Sequence, residues 1–268
     1  IISCAPAQED FKADFTIAFG SCNNQSLENT LWTAIAENKP SVFIWGGDVI
    51  YSDTFDPKVL EKNYQKQLQN PVYQKFSGSV EILGTWDDHD YGPNNSSASF
   101  PLKDQTLKVF QRHWPNPEFG LPAVPGTFGV ARHGDLMFFL LDDRYYRSPN
   151  RAPDGPAKTM FGARQLDWLK QALAAAPRDS IKIIAGGSQF WKRAGRFEGW
   201  HHFAAERRAF ADWLIAQRIE GVLFLSGDRH FSELLQIERP DAYPLHEFTS
   251  SPLTSRPFKQ FDETDRDN

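Results

Sequence analysis

At 268 residues, with 40% hydrophobic and 24% charged side chains, the chain has the make-up of an ordinary soluble globule long enough to bury a substantial core. A formal charge of −5 argues against a protein that coats nucleic acid, which needs a basic stripe along the phosphate backbone. It leaves room for a small anion held through a metal, and no apolar run reaches the roughly 18 residues of a transmembrane helix.

The chain opens on Ile1-Ile2-Ser3-Cys4, which has the form of the end of a bacterial lipoprotein signal. On that reading residues 1–14 are a signal remnant and tether, and Cys4 is a lipidated membrane anchor. The expected location is periplasmic or extracellular, and a disulfide between Cys4 and Cys22 is not expected. A single folded domain then runs over 15–268, without internal repeat, low-complexity segment or splitting linker.

Phe15 to Phe19 reads as a first strand, closed by Gly20-Ser21-Cys22-Asn23. Leu27, Leu31 and Ile35 recur every four residues and predict a helix up to Asn38-Lys39-Pro40. Val42 to Trp45 is a short apolar run expected of an interior parallel strand, ending in Gly46-Gly47-Asp48 with Tyr51 three residues on. Pro57 to Leu68 suits a helix with proline in its first turn. Val80 to Thr85 is a third strand, ending in Trp86-Asp87-Asp88-His89-Asp90. A helix from about Leu102 to Trp114 follows, then a proline-rich loop over 115–125.

Thr127–Arg132 and Leu136–Leu141 form a predicted hairpin about His133-Gly134, leading to Asp142-Asp143-Arg144-Tyr145-Tyr146-Arg147. Helices are expected over Ala163–Ala175 and Phe203–Gln217. Between and after them lie strands Ile181–Ala185, ending in Gly187-Ser188-Gln189, and Val222–Leu225, ending in Gly227-Asp228-Arg229-His230. Leu234–Ile237 and His246–Thr249 complete the strands. Alternating strands and helices followed by hairpins predict an α/β protein, a four-layer α/β/β/α sandwich.

The strand ends share one chemistry. Cys22, Asp48, Tyr51, Asp88, Gln189, Asp228 and His230 are all competent metal ligands. A thiolate beside a phenolate suits a strongly Lewis-acidic ion such as Fe(III), whereas carboxylates and an amide oxygen suit Ca2+. Asp48 is placed to bridge two ions, and a metal pair can clamp a phosphate and acidify a bound water. His201 and His202, with Trp191 and Trp200, read as surface or at most as the rim of a pocket.

Gly47-Asp48-x-x-Tyr51, Asp88-His89-Asp90 and Gly227-Asp228-x-His230 resemble variants of the calcineurin-like metallophosphoesterase motifs. Together with Trp86-Asp87-Asp88-His89 and Leu141-Asp142-x-Arg144-x-x-Arg147, the combination resembles the alkaline phosphatase D (PhoD) family from about Phe15 to Thr254. The chain departs from the general motifs at Cys22, Tyr51, Asp88, Gln189 and Asp228, and three of these changes exchange or supply oxygen ligands at one metal, which favours calcium over zinc there.

The resemblance implies a secreted phosphoric ester hydrolase using iron and calcium. It maps Fe(III) onto Cys22, Asp48, Tyr51 and His230, and Ca2+ onto Asp48, Asp88 and Asp228, with Gln189 a further ligand or a substrate contact. In the expected mechanism a metal-held hydroxide or oxide attacks phosphorus in line. His89 stabilises the transition state or protonates the leaving alkoxide, Asp90 sets the tautomer of that ring, and Arg144 clamps the anion. The substrate expected is a small phosphomonoester, with a phosphodiester or phospholipid as the alternative, and the expected assembly is a monomer. The contrasting class is a calcium- or phosphate-binding surface protein without turnover.

Overall fold

The computed structural model describes residues 15–258 apart from 194, 196 and 241, so Cys4 and the expected tether lie outside the described residues. Strands β1 (Ile17–Gly20), β2 (Val42–Gly46) and β3 (Glu81–Thr85) form a parallel sheet in that order. A second sheet contains β4 (Gly129–His133), β5 (Leu136–Leu140), β6 (Ile181–Ala185), β7 (Val222–Ser226), β8 (Glu233–Arg239) and β9 (Ala242–Thr249). Its order is β4-β5-β6-β7-β9-β8, with a parallel centre and antiparallel edges.

Alternation along the strands sets the layers. In β2, Val42 and Ile44 face the other sheet and pack with Phe138, Leu140 and Ile183, while Phe43 and Trp45 lie under helices with Trp32 and Tyr73. In β5 and β6, Phe139 and Ile184 point the opposite way, into a third apolar cluster with Leu169 and Phe210. Both faces of β2 are therefore apolar, which is why its sequence is an unbroken hydrophobic run. The first sheet is covered by α1 (Leu31–Glu37), α2 (Pro57–Leu68), α3 (Pro71–Ser77) and α5 (Lys103–His113), and the second by α6 (Ala163–Ala175) and α7 (Ala204–Ala216). The short α4 (Asp88–Tyr91) sits at the end of β3. The expected α/β/β/α sandwich is the architecture observed.

Local chemistry explains several boundaries. The Asp56 carboxylate accepts the Lys58 N–H at 2.9 Å and caps α2, with Pro57 in the first turn. The first helix begins at Leu31, later than the periodicity predicts: Asn29 Oδ1 accepts the Leu31 N–H at 2.9 Å, and Leu27 is exposed. Helix α3 is absent from the sequence reading, because its seven residues are too few to show an apolar period. Its signal was Asn70-Pro71, where the Asn70 side chain accepts the N–H groups of Val72 and Tyr73.

Glycines let the two sheets converge at the C-terminal ends of their strands. A Cβ on Gly227 would overlap the Gly46 carbonyl oxygen and come within 2.5 Å of Ser21 Cβ. A Cβ on Gly187 would lie 2.6 Å from Asp87 Cγ. This close approach gathers the loops after β1, β2, β3, β6 and β7 at one place.

Candidate active site

The loop after β1 supplies Cys22, that after β2 supplies Asp48, Tyr51 and Asp53, and that after β3 leads through Asp87 into Asp88, His89 and Asp90. Gln189 follows β6, and Asp228 and His230 follow β7. Cys22, Asp48, Asp228 and His230 all have positive φ, between 50° and 65°. Such a conformation costs a non-glycine residue about 1–3 kcal/mol and persists only where the surroundings over-determine it.

The side chains meet at short range. Cys22 Sγ lies 3.5 Å from Asp48 Oδ2, and Tyr51 Oη lies 2.9 Å from His230 Nε2. The rings of Tyr51 and His89 pack with centroids 4.1 Å apart. One ligand atom each from Asp48, Asp88 and His89 lie within 4.8 Å of one another, and so do those of Asp48, Asp87 and Asp228. Asp48 thus belongs to two potential cation sites at once. A family model for PhoD-like phosphatases matches residues 17–268.

The chain belongs to the PhoD-like phosphatase family. It is 26% identical over 271 residues to alkaline phosphatase D of Bacillus subtilis (strain 168), covering 81% of this chain and 46% of that protein. It spans about half the length of this curated relative. Among solved structures, PhoD superposes with a TM-score of 0.77 at 19% identity over 90% of this chain and 57% of its own. A dimetal phosphatase from Danio rerio gives 0.58 at 13% identity over 91% and 89%. Purple acid phosphatase PPD1 from yellow lupin (Lupinus luteus) gives 0.53 at 14% identity over 88% and 43%. These likenesses identify a metallophosphoesterase-type fold.

In this PhoD-like site the donor set fits cations. Burial, with Cys22, Asp88, Asp90 and Asp228 nearby, pushes the Asp48 carboxyl well above its usual range. Burial and the neighbouring Asp88 push Asp228 to about 6, and burial with Asp228 pushes the Cys22 thiol to about 12. Burial likewise raises Tyr51 and lowers His230, which keeps that imidazole neutral. Acids crowded out of water in this way favour ionisation only when positive charge arrives. Gln189 supplies an independent sign. Its amide N–H group donates to Glu233 and Thr249, each at 2.9 Å, which leaves the buried Oε1 without a partner.

Three expectations for the residues of this PhoD-like chain need correction. Asp90 does not orient His89: its carboxylate accepts the Asp87 N–H at 2.7 Å and the Val49 N–H at 3.1 Å, which ties the α4 turn to β2. Asp53 holds the ring instead, with both carboxylate oxygens 2.8 Å from His89 Nδ1. Arg144 is not an open anion clamp, because it is fully buried and ion-paired to Asp87 and, at 2.7 Å, to Glu198. Arg147 shares Glu198 at 3.2 Å. Trp191 and Trp200 lie in the core of the second sheet, not on a rim.

Asp53, Asp87 and Glu198 join the site without a functional signature in the sequence. Asp53 lies five residues beyond Asp48 and has φ 44°, a loop conformation that no periodicity reveals. Asp87 reads as part of a solvated acidic run, yet it is fully buried and groups with Asp48 and Asp228. Glu198 is brought to Arg144 by a loop far along the chain.

Proposed function

We propose that the chain hydrolyses phosphate esters at a two-cation centre, acting first on small phosphomonoesters. The observation that carries this reading is the position of Asp48, whose Oδ2 lies 3.5 Å from Cys22 Sγ while its carboxylate also groups with Asp88 and with Asp228. Cys22, Asp48, Tyr51 and His230 would hold Fe(III), where a thiolate and phenolate suit a strong Lewis acid. Asp48, Asp88 and Asp228 would hold Ca2+, with Asp87 and the free Oε1 of Gln189 as further oxygen donors. When bound, the cations supply Lewis acidity toward the phosphate and its attacking water.

The protein's own groups account for the proton and for orientation. Asp53 commits Nδ1 of His89, so Nε2 is the nitrogen free to give a proton to the leaving alkoxide. Burial alone would lower the His89 pKa, but the hydrogen bond that its Nδ1–H donates to Asp53 and the charges of Asp88, Asp53 and Asp228 outweigh it and raise it. Buried Arg144 positions Asp87, which in turn faces Asp48 and Asp228.

A phosphodiester substrate is the second reading, and the burial of Arg144 favours it. With Nε and Nη2 of that guanidinium taken by Asp87 and Glu198, its charge is largely balanced before a dianionic monoester arrives. From the Ile1-Ile2-Ser3-Cys4 motif we further propose that the protein works outside the cytoplasm, anchored through Cys4, as a monomer. Metal analysis and a visible spectrum, with chromogenic mono- and diester hydrolysis on the same sample, test the two-cation reading. Iron, calcium, colour and turnover are expected. A protein that stays colourless and inactive after both metals are supplied would sink it.

A further inference from the structure

We propose that residues 251–258 form a strap that presets the ligand atoms of Cys22 and His230, with Ser251 as the positioning residue. This rests on the two-cation reading above. After β9 the chain crosses from the second sheet to the first. The Ser250 N–H donates to the Ser226 carbonyl at 3.1 Å, and the Leu253 N–H donates to the Ser21 carbonyl at 2.9 Å. Leu253 covers Gly20, where an added Cβ would lie 3.1 Å from its side chain.

The strap then grips both predicted ligands. The Ser255 and Thr254 N–H groups donate to the Cys22 carbonyl at 3.1 and 3.4 Å. The Phe258 N–H donates to the His230 carbonyl at 2.9 Å, and the His230 N–H donates to Ser251 Oγ at 2.9 Å. Cys22 and His230 both have left-handed backbones, at φ 55° and 57°. These bonds are the restraint such conformations need.

The strap also selects the tautomer of His230. Its Nδ1 lies 2.6 Å from the Arg256 carbonyl oxygen, which accepts only. Nδ1 therefore carries the hydrogen, and Nε2 presents its lone pair toward Tyr51 Oη at 2.9 Å. A neutral imidazole with Nε2 free is the form that binds a metal, and outer partners of this kind fix ligand orientation.

The test uses the full chain, stripped by chelator and titrated with Co2+, which reports thiolate ligation by its charge-transfer absorption. Ser251→Ala and Phe258→Pro should weaken Co2+ binding about 10–100-fold, the usual effect of losing an outer partner, with circular dichroism unchanged. Ser251→Thr, which restores the hydroxyl, should recover it. Nitrogen NMR of the metal-free wild type should show His230 protonated at Nδ1. Wild-type Co2+ affinity in both variants, or a hydrogen on Nε2, would overturn the strap while leaving the two-cation reading intact. Absence of any thiolate band in the wild type would overturn both. Ser251→Ala, which removes a single oxygen, decides the matter if Phe258→Pro does not fold.

Discussion

Both carboxylate oxygens of Asp53 lie 2.8 Å from Nδ1 of His89, across 36 residues of sequence. The contact fixes which nitrogen can deliver a proton. Asp53→Asn should therefore lower the His89 pKa. If His89 acts as the acid, activity falls as pH rises through that pKa, so the alkaline limb of the rate profile should move to lower pH in the variant. His89→Ala should reduce turnover about 10²–10⁴-fold with both metals retained, the usual worth of a positioned acid. A pH profile unchanged by Asp53→Asn would remove Asp53 from the mechanism.

Asp48 meets Cys22 on one side and groups with Asp88 and Asp228 on the other, so its loss should weaken both proposed cation sites. Asp48→Asn is expected to lower bound metal at both sites, whereas Asp88→Asn should spare the one built from Cys22, Tyr51 and His230. Elemental analysis of the two purified variants checks this. Equal retention of both ions in Asp48→Asn would show that it bridges nothing.

The stripped protein should lose stability as pH rises. Asp228 and Asp90 have folded pKa values of about 6 and about 7, raised from 3.8 chiefly by burial. A raised acid binds more protons folded than unfolded, so its contribution is full below 3.8 and lost as the pH climbs through the folded value. Melting of chelated protein should be several degrees higher near about pH 5 than near about pH 8, and added Ca2+ should restore it at the higher pH. A melting temperature flat across that window would contradict the crowding of acids described above.

Glu198 carries two buried arginines. Burial would raise its pKa, but Arg144 and Arg147 hold it well below the usual carboxylate range. Glu198→Ala leaves Arg144 with Asp87 and Asp143 but takes from buried Arg147 its carboxylate partner, and breaking a buried pair in this way costs about 3–5 kcal/mol. Denaturant melts of the variant give the comparison. A loss under about 1 kcal/mol would place the network at the surface in energetic terms.

Gly227→Ala should destabilise the fold, because its Cβ would strike the Gly46 carbonyl and Ser21 from the opposite sheet. Backbone on one side and a packed side chain on the other leave no flexible atom to yield, so a cost above about 3 kcal/mol is expected. A wild-type melting temperature would show that the sheets can separate there.

Local pattern alone determined the layers of this protein and which side chains stand at its strand ends. The apolar runs at Val42–Trp45 and Ile181–Ala185 required interior strands, and the glycine turns after Trp45 and Ser226 placed Asp48 and Asp228 at strand ends. Those signals are legible because a buried strand and its turn are specified by neighbouring residues. Tertiary structure decided the rest. It tied Asp90 to backbone rather than to His89, gave that ring to Asp53, and withdrew Arg144 into the interior with Glu198. Each depends on where loops from different strands meet, and charge type alone does not say which carboxylate an arginine or imidazole will find. The convergence of two sheets at Gly46, Gly187 and Gly227 sets those meetings, and it has no signature within any one segment.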